Sequence, residues 1–596
     1  MHGARKIFLL FIALFFIQMS AYAETQKKQT FSDKVNHLFE PAVEVLEKVI
    51  FWDPLYAIGI YDPIIYNEEG DVQIDSHLKG LVSIDKGSDV VKGFETDFTK
   101  FNIGQQIVFS GKVFTVKDIE SDVQLTIDRN SEDTLSEIPY GSPMMRPFPI
   151  VVLWLIFGAI FFTIKLKFIN FRGVKHSIDL LKGKFDDPDV KTSKEELTRV
   201  QALSTALSGT VGLGNIASVA VAISIGGPGA TFWMIVAGLL GMASKFTEVT
   251  LGVKYREVDE HGVIHGGPMY YLKSGLAKRN LGVLGKFLAV MFAVLLIGAS
   301  LGGGNMFQAN QAFAQLQNSF PALSGHGAEV GIVLAIMVGV VIIGGVKSIA
   351  KVTERIVPLM AGVYMLAALV IIIIDYDQII PSIELIFSNA FSAPAIKGGV
   401  IGVLIIGFQR AAFSNEAGIG SSAIAHSAAK AKEPISEGFV ALVEPFIDTV
   451  LICTITAFVI IITGRYGADF SHLQGSELTS SAFGSAISWF PYVLTIAIFL
   501  FAFSTMISWS YYGLKAWTYI FGKTKRSEII FKVIYLSMIV VGAASSLGVV
   551  LTFSDMMILS MAVPNIIGLL IMSSEVKDDL KSYMSKIKSG EIKKFN

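Results

Sequence analysis

From residue 148 onward the chain is written in apolar runs of about 20 residues separated by short polar breaks. The runs begin near 148, 201, 230, 286, 329, 354, 398, 437, 483, 529 and 553. Each is long enough, as a helix, to cross the hydrocarbon layer of a bilayer. They predict an all-α polytopic membrane protein with 11 transmembrane helices. Ahead of them the pattern changes. Arg5 and Lys6, the apolar run Ile7–Met19 and Ala21-Tyr22-Ala23 have the order of a secretory signal peptide over residues 1–23, the alternative being an uncleaved anchor helix; either way the segment that follows is expected outside the cytoplasm. Residues 24–146 are polar and acidic. Val35, Leu38, Phe39, Val43, Leu46 and Ile50 recur at helical spacing and predict an amphipathic helix. Ile107–Val116 around Ser110-Gly111 reads as a hairpin, and Val123, Leu125 and Ile127 alternate as a strand does, so a small β-rich extracytoplasmic domain is expected over about 55–135.

Charge then orients the spans. Lys and Arg number 31 in the segments 165–199, 254–286, 347–355, 430–432, 515–532 and 577–594, against two (Lys397 and Arg465) in the alternate loops. Positive residues stay inside, which places the mature N-terminus outside and the tail, 576–596, in the cytoplasm of a bacterial cell whose inner membrane the chain crosses. The overall composition changes little: 52% hydrophobic, 17% charged, net charge −1. A single cysteine, Cys453, excludes an internal disulfide and a cysteine metal site.

Two apolar runs are interrupted alike. Ser208-Gly-Thr-Val-Gly-Leu-Gly-Asn-Ile-Ala217 in span 2 and Ser414-Asn-Glu-Ala-Gly-Ile-Gly-Ser-Ser-Ala423 in span 7 share the pattern S-x-x-x-G-[LI]-G-[NS]-x-A. Glycine costs about 1 kcal/mol in a helix interior, and a helix breaks within lipid only where the freed backbone lines a cavity or is buried in protein. Spans 2–6 and 7–11 have opposite orientation, so the repeat predicts a 5+5 inverted architecture with a binding site at the two breaks. Repeat 1 covers 199–375, repeat 2 covers 396–575, and the span at 147–170 stands apart. The bland alternative is small-residue helix packing.

The chemistry expected of such a site follows from helix ends. Free N–H groups near Thr210, Gly212, Gly214 and Asn215 suit a carboxylate. Carbonyls near Ser414, with Gly418 beyond, suit an ammonium group or a cation, so a zwitterion satisfies both ends. Ser504 and Thr505 in span 9, facing carbonyls such as those of Ala206 and Gly209, offer a hard cation like Na⁺ its oxygen shell. Trp509, one turn on, is placed to wall the pocket, and Phe307 and Gln308 reach it from the polar cluster Gly302–Gln311 of span 4. Arg410, Glu416, Glu444, Asp448 and Asp555 are ionisable at membrane depth. Arg410, Glu416 and Asp448 are gate candidates, with Glu416 alternatively capping N–H groups of the inner half-helix. Lys245 and Glu248 are spaced to pair at i, i+3. The histidines show no ligand spacing, and there is no nucleotide-binding Gly-x-x-x-x-Gly-Lys loop, nucleophile–base pair or metal set to suggest an enzyme.

These residues resemble the alanine or glycine:cation symporter family. The resemblance rests on Thr205–Ala217, Gly226-Gly-Pro-Gly-Ala230, Gly241–Phe246, Gly266-Gly-Pro-Met-Tyr-Tyr271 and Phe413–Gly418, within about 148–575. It implies a leucine-transporter-type fold and Na⁺-coupled uptake of alanine, glycine or a similar small amino acid. Leu213 and Ser218 stand where many members have Thr and Gly. The partners expected are an amino acid, co-transported Na⁺ and membrane lipid, not nucleic acid. An H⁺-coupled carrier, a channel, and a receptor sensing through residues 24–146 are the competing readings.

Overall fold

The computed structural model describes residues from 51 on, apart from 55–63, 65–70, 73, 102, 144–148, 186–195, 261, 392–398, 471–472, 488 and 596. The signal-peptide reading of 1–23 and the helix expected at 35–50 lie outside the described residues. The described chain forms two compact units, one of residues 52–149 with 388–405 and one built on 150–387 and 406–596.

In the first unit eight strands form one sheet: β1 (Ile74–His77), β2 (Leu81–Ile84), β3 (Val90–Phe94), β4 (Gln106–Phe109), β5 (Lys112–Ser121), β6 (Gln124–Ile127), β7 (Leu135–Ile138) and β8 (Gly141–Pro143). Their order is β1-β8-β4-β5-β6-β3-β2-β7. β4 and β5 pair in register, Phe109 opposite Lys112. The two-residue turn between them has φ of 51° at Ser110 and 70° at Gly111, the left-handed pair that matches strand twist. Alternation buries Ile107, Phe109, Phe114, Val116, Leu125 and Ile127 in one core, while Val123 is exposed. The strands run on to Pro143, past the 135 expected from the sequence.

In the second unit seven helices are long and apolar enough to cross a membrane. An eighth candidate is the pair Arg199–Thr210 and Leu213–Gly226, bent by 54°. The remaining apolar runs of the sequence fall on shorter helices: Ile150–Lys165, Gly327–Ile343 and Gly399–Asn415. The last is short because span 7 stops at its break. Beyond it Glu416, Gly418 and Gly420 have φ of 57°, 89° and 91°, and only then does the short helix Ala423–His426 begin. Left-handed backbone at alternate residues is where glycine is cheap and a glutamate is not. At its start, span 2 is fixed by a capping box: Gln201 N–H donates to the Thr198 hydroxyl and Thr198 N–H to the Gln201 side chain. π-helical turns widen the helices at Gly302–Met306 and Phe446–Cys453. Both lie beside polar side chains described next, the usual setting of such turns.

Candidate functional site

The span 2 helix ends at Thr210, and extended backbone at Gly212 (φ −138°, ψ −150°) separates it from the turn Leu213–Asn215. The N–H groups there are not free, as the sequence had suggested. Gly212 N–H donates to Asn215 Oδ1 at 2.9 Å and Leu213 N–H to Gln308 Oε1 at 3.1 Å. Gln308 is fixed in turn by donating to the Gly303 carbonyl at 2.9 Å. Buried N–H groups must be paired, and here two amide side chains hold the position expected of a carboxylate. The Thr210 hydroxyl turns back toward the Ala206 and Leu207 carbonyls, 3.4 Å from each.

Asp448 joins the two breaks. Its Oδ1 accepts from the Asn215 amide of span 2 at 2.6 Å, and its Oδ2 accepts from the Ser414 hydroxyl of span 7 at 2.8 Å and from Thr449 at 2.7 Å. Asp448, expected as a gate candidate, is thus fully buried and held by both breaks at once. Gly214 makes the two breaks touch: a Cβ there would stand 3.2 Å from Ser414 Cα.

Span 9 lies against the span 2 break through Ser504 and Thr505. The Thr505 hydroxyl donates to the Ser208 carbonyl at 3.0 Å, and the Ser208 hydroxyl to the Ser504 carbonyl at 2.7 Å. The Ser504 hydroxyl points instead to the Phe501 carbonyl, 3.0 Å away on its own helix. Trp509 follows, its ring over Gly304, where any Cβ would lie 2.2 Å from the ring. Its indole N–H is shared between the Gly209 carbonyl at 3.2 Å and Glu416 Oε1 at 3.1 Å. The second Glu416 oxygen accepts from the Ser421 hydroxyl. Glu416 is therefore not the N–H cap expected from the sequence, because its carboxylate accepts from the Trp509 and Ser421 side chains.

Arg410 pairs with Asp555 of span 11, which also accepts from Gln409 at 3.1 Å. The guanidinium lies 5.7 Å from the Phe413 ring, whose edge-to-face partner at 5.2 Å is Phe307. Gly418 contributes its carbonyl, which accepts from Asn565 at 2.9 Å. Sequence reasoning missed a buried ionic cluster nearby. Lys245 does not pair with Glu248 on its own helix; it reaches Glu444 at 3.5 Å and the Ser422 hydroxyl at 2.8 Å. His426 bridges Glu437 (2.7 Å) and Glu444. The signal was present in Glu437 and Glu444, which share a helix face seven residues apart. Outside the spans, burial first and the Lys515 ammonium second push His265 down to about 4, although Asp259 contacts its Nε2 at 2.8 Å.

Two buried helix breaks that meet on one carboxylate, inside a bundle of long apolar helices, fit a solute carrier, and comparison with known proteins identifies the family. Residues 136–596 match the model of the sodium:alanine symporter family. The sodium/alanine symporter AgcS of Methanococcus maripaludis is 40% identical over 75% of this chain and 96% of its own. The amino-acid carrier protein AlsT of Bacillus subtilis is 35% identical over 72% of this chain and 89% of its own. Among solved structures, MhsT with L-phenylalanine overlaps 63% of this chain and 89% of that one at TM-score 0.44 and 15% identity, too loose a likeness to argue from. The chain belongs to the sodium:alanine symporter family, and it is a multi-pass membrane transporter.

Proposed function

We propose that the chain carries a small neutral amino acid, alanine or glycine, into the cell by Na⁺-coupled symport with alternating access. The observation that carries this reading is the meeting of the two Gly-interrupted breaks on one carboxylate, Asp448, with the paired oxygens of Ser208 and Thr505 directly alongside. The substrate carboxylate takes over the Gly212 and Leu213 N–H groups and displaces the amides of Asn215 and Gln308. The ammonium group faces Ser414, Gly418 and the carbonyl end of the outer half of span 7. Thr210, Gly214, Phe307 and Trp509 bound the small pocket that remains. Co-transported Na⁺ is a hard cation that takes oxygen ligands, and the carbonyls of Ala206 and Gly209 with the hydroxyls of Ser504 and Thr505 supply them. The Arg410–Asp555 pair serves as the outer gate.

In this reading spans 2–6 and 7–11 are inverted repeats that move against each other, with the mature N-terminal domain outside and the C-terminal tail in the cytoplasm. Uptake of a twenty-amino-acid panel into proteoliposomes, with and without an inward Na⁺ gradient, tests it. Alanine or glycine accumulation that needs the Na⁺ gradient is expected. Accumulation driven equally by a proton gradient without Na⁺ would replace this reading by an H⁺-coupled one.

A further inference from the structure

Glu248 lies on the helix Ala230–Lys254 and is fully buried. Lys245, one turn away, is engaged by Glu444 and Ser422, and among the described residues no cation comes within ion-pair distance of Glu248. Its Oε1 accepts from the Asn565 amide at 2.9 Å, while its Oε2 has no hydrogen-bond partner. The groups that act on it are Lys245 on its own helix, Glu444 on span 8, the backbone of Gly418 at the span 7 break, and Tyr271 through Asn565. Lys245 and Glu444 join it to a wider buried network that holds His426, Glu437, Glu416 and Asp448. Five buried carboxylates (Glu248, Glu416, Glu437, Glu444 and Asp448) thus share Lys245 and His426, with Arg256 part-buried beyond Glu437 and paired to Glu196 at 3.7 Å. Even with all three cations charged and Arg256 credited wholly to the cluster, at least two negative charges are left over. A buried charge without a partner neutralises itself instead of persisting. A metal cation does not suit Glu248, because Asn565 turns its NH₂ donor toward it and its oxygen toward the Tyr271 hydroxyl.

We propose that Glu248 is a proton-binding site whose occupancy is linked to the span 7 break. The link runs through Gly418: Asn565 Nδ2 donates both to Glu248 Oε1 and to the Gly418 carbonyl, at 2.9 Å each, the Gly418 backbone N–H also acts on the carboxylate, and Gly418 is a left-handed hinge of the break. A charged Glu248 draws the Asn565 amide harder, since hydrogen bonds to ionised groups are stronger. A protonated one returns it to Gly418. Proton binding at Glu248 and amino-acid binding at the breaks are then coupled, and the coupling is reciprocal. The inference rests on the transport reading above.

The test uses the full chain, purified for alanine binding in weakly buffered, Na⁺-containing solution with a pH indicator, and reconstituted for uptake. The wild-type affinity for alanine should change at least about fivefold between about pH 5.5 and about pH 8.5, and the indicator should record a proton taken up or released on binding. Glu248→Gln should bind alanine with less than about a twofold change over that range and no proton signal, whereas Glu248→Asp keeps both. Tyr271→Phe, which frees the Asn565 amide but leaves Glu248 in place, should shrink the pH dependence, and it decides the matter if Glu248→Gln fails to fold. An unchanged pH dependence in Glu248→Gln, or in Tyr271→Phe where that variant decides, overturns the proposal. A wild type that moves no amino acid overturns the transport reading itself. A wild type that transports with a flat pH profile overturns only this one.

Discussion

Gly212 is the tightest point of the span 2 break, because a Cβ there would stand 2.2 Å from the Thr505 hydroxyl and 3.3 Å from Gln308 Oε1. Gly212→Ala should therefore abolish uptake at normal expression, while Gly362→Ala, which meets nothing within 4 Å, should leave it unchanged. Wild-type uptake by Gly212→Ala would remove the break from the mechanism. Thr505→Ala tests the ion. A ligand to a charged group is worth about 1.5–3 kcal/mol, so the Na⁺ concentration for half-maximal uptake should rise about tenfold or more. An unchanged Na⁺ dependence would make Thr505 a packing residue. The paired glycines and the Ser504-Thr505 step could be read from the sequence because each is a local pattern. The occupant of the break N–H groups was not legible: Asn215 Oδ1 is local, but Gln308 arrives from another span and only the folded chain brings it there.

Between elements, the Arg410–Asp555 pair ties span 7 to span 11 with side chains only 5% and 8% exposed. Asp555→Asn leaves a buried guanidinium unpaired and should lower stability by about 3–5 kcal/mol, whereas the double variant with Arg410→Met should recover much of that loss. Thermal melts in detergent measure both. A double variant no more stable than Asp555→Asn would mean the pair is not a closed unit. The loop His265 gives a second element-scale expectation. Its folded pKa, about 4, lies below the unfolded value of about 6.5, so the unfolded chain binds more protons between the two. Stability should be complete above the unfolded value and fall as pH drops toward the folded one, and His265→Gln should flatten that fall. A melting profile of the variant superimposable on the wild type would exclude His265. Helical runs were legible at this scale from hydropathy alone. The π-helical turns at 302–306 and 446–453 were not, since an extra residue shows only as a shift in the phase of an apolar stripe, and a span apolar nearly all round carries no such stripe.

Over the whole molecule, the sequence carried the membrane character and the two helix breaks, because both are written in contiguous patterns. It misjudged the ionic cluster. Lys245, His426, Glu437 and Glu444 are up to 199 positions apart and look like scattered exceptions until spans 3, 7 and 8 pack together. In the sequence the one partner visible for Lys245 is its helical neighbour Glu248. The central claim is that Na⁺ entry drives uptake of a small neutral amino acid through the paired breaks. It is tested most directly by alanine and glycine accumulation in proteoliposomes under an imposed inward Na⁺ gradient. The expected result is accumulation above equilibrium that collapses when the Na⁺ gradient is dissipated and is absent in Gly212→Ala. Equal uptake without Na⁺, or uptake that survives in Gly212→Ala, would contradict the account.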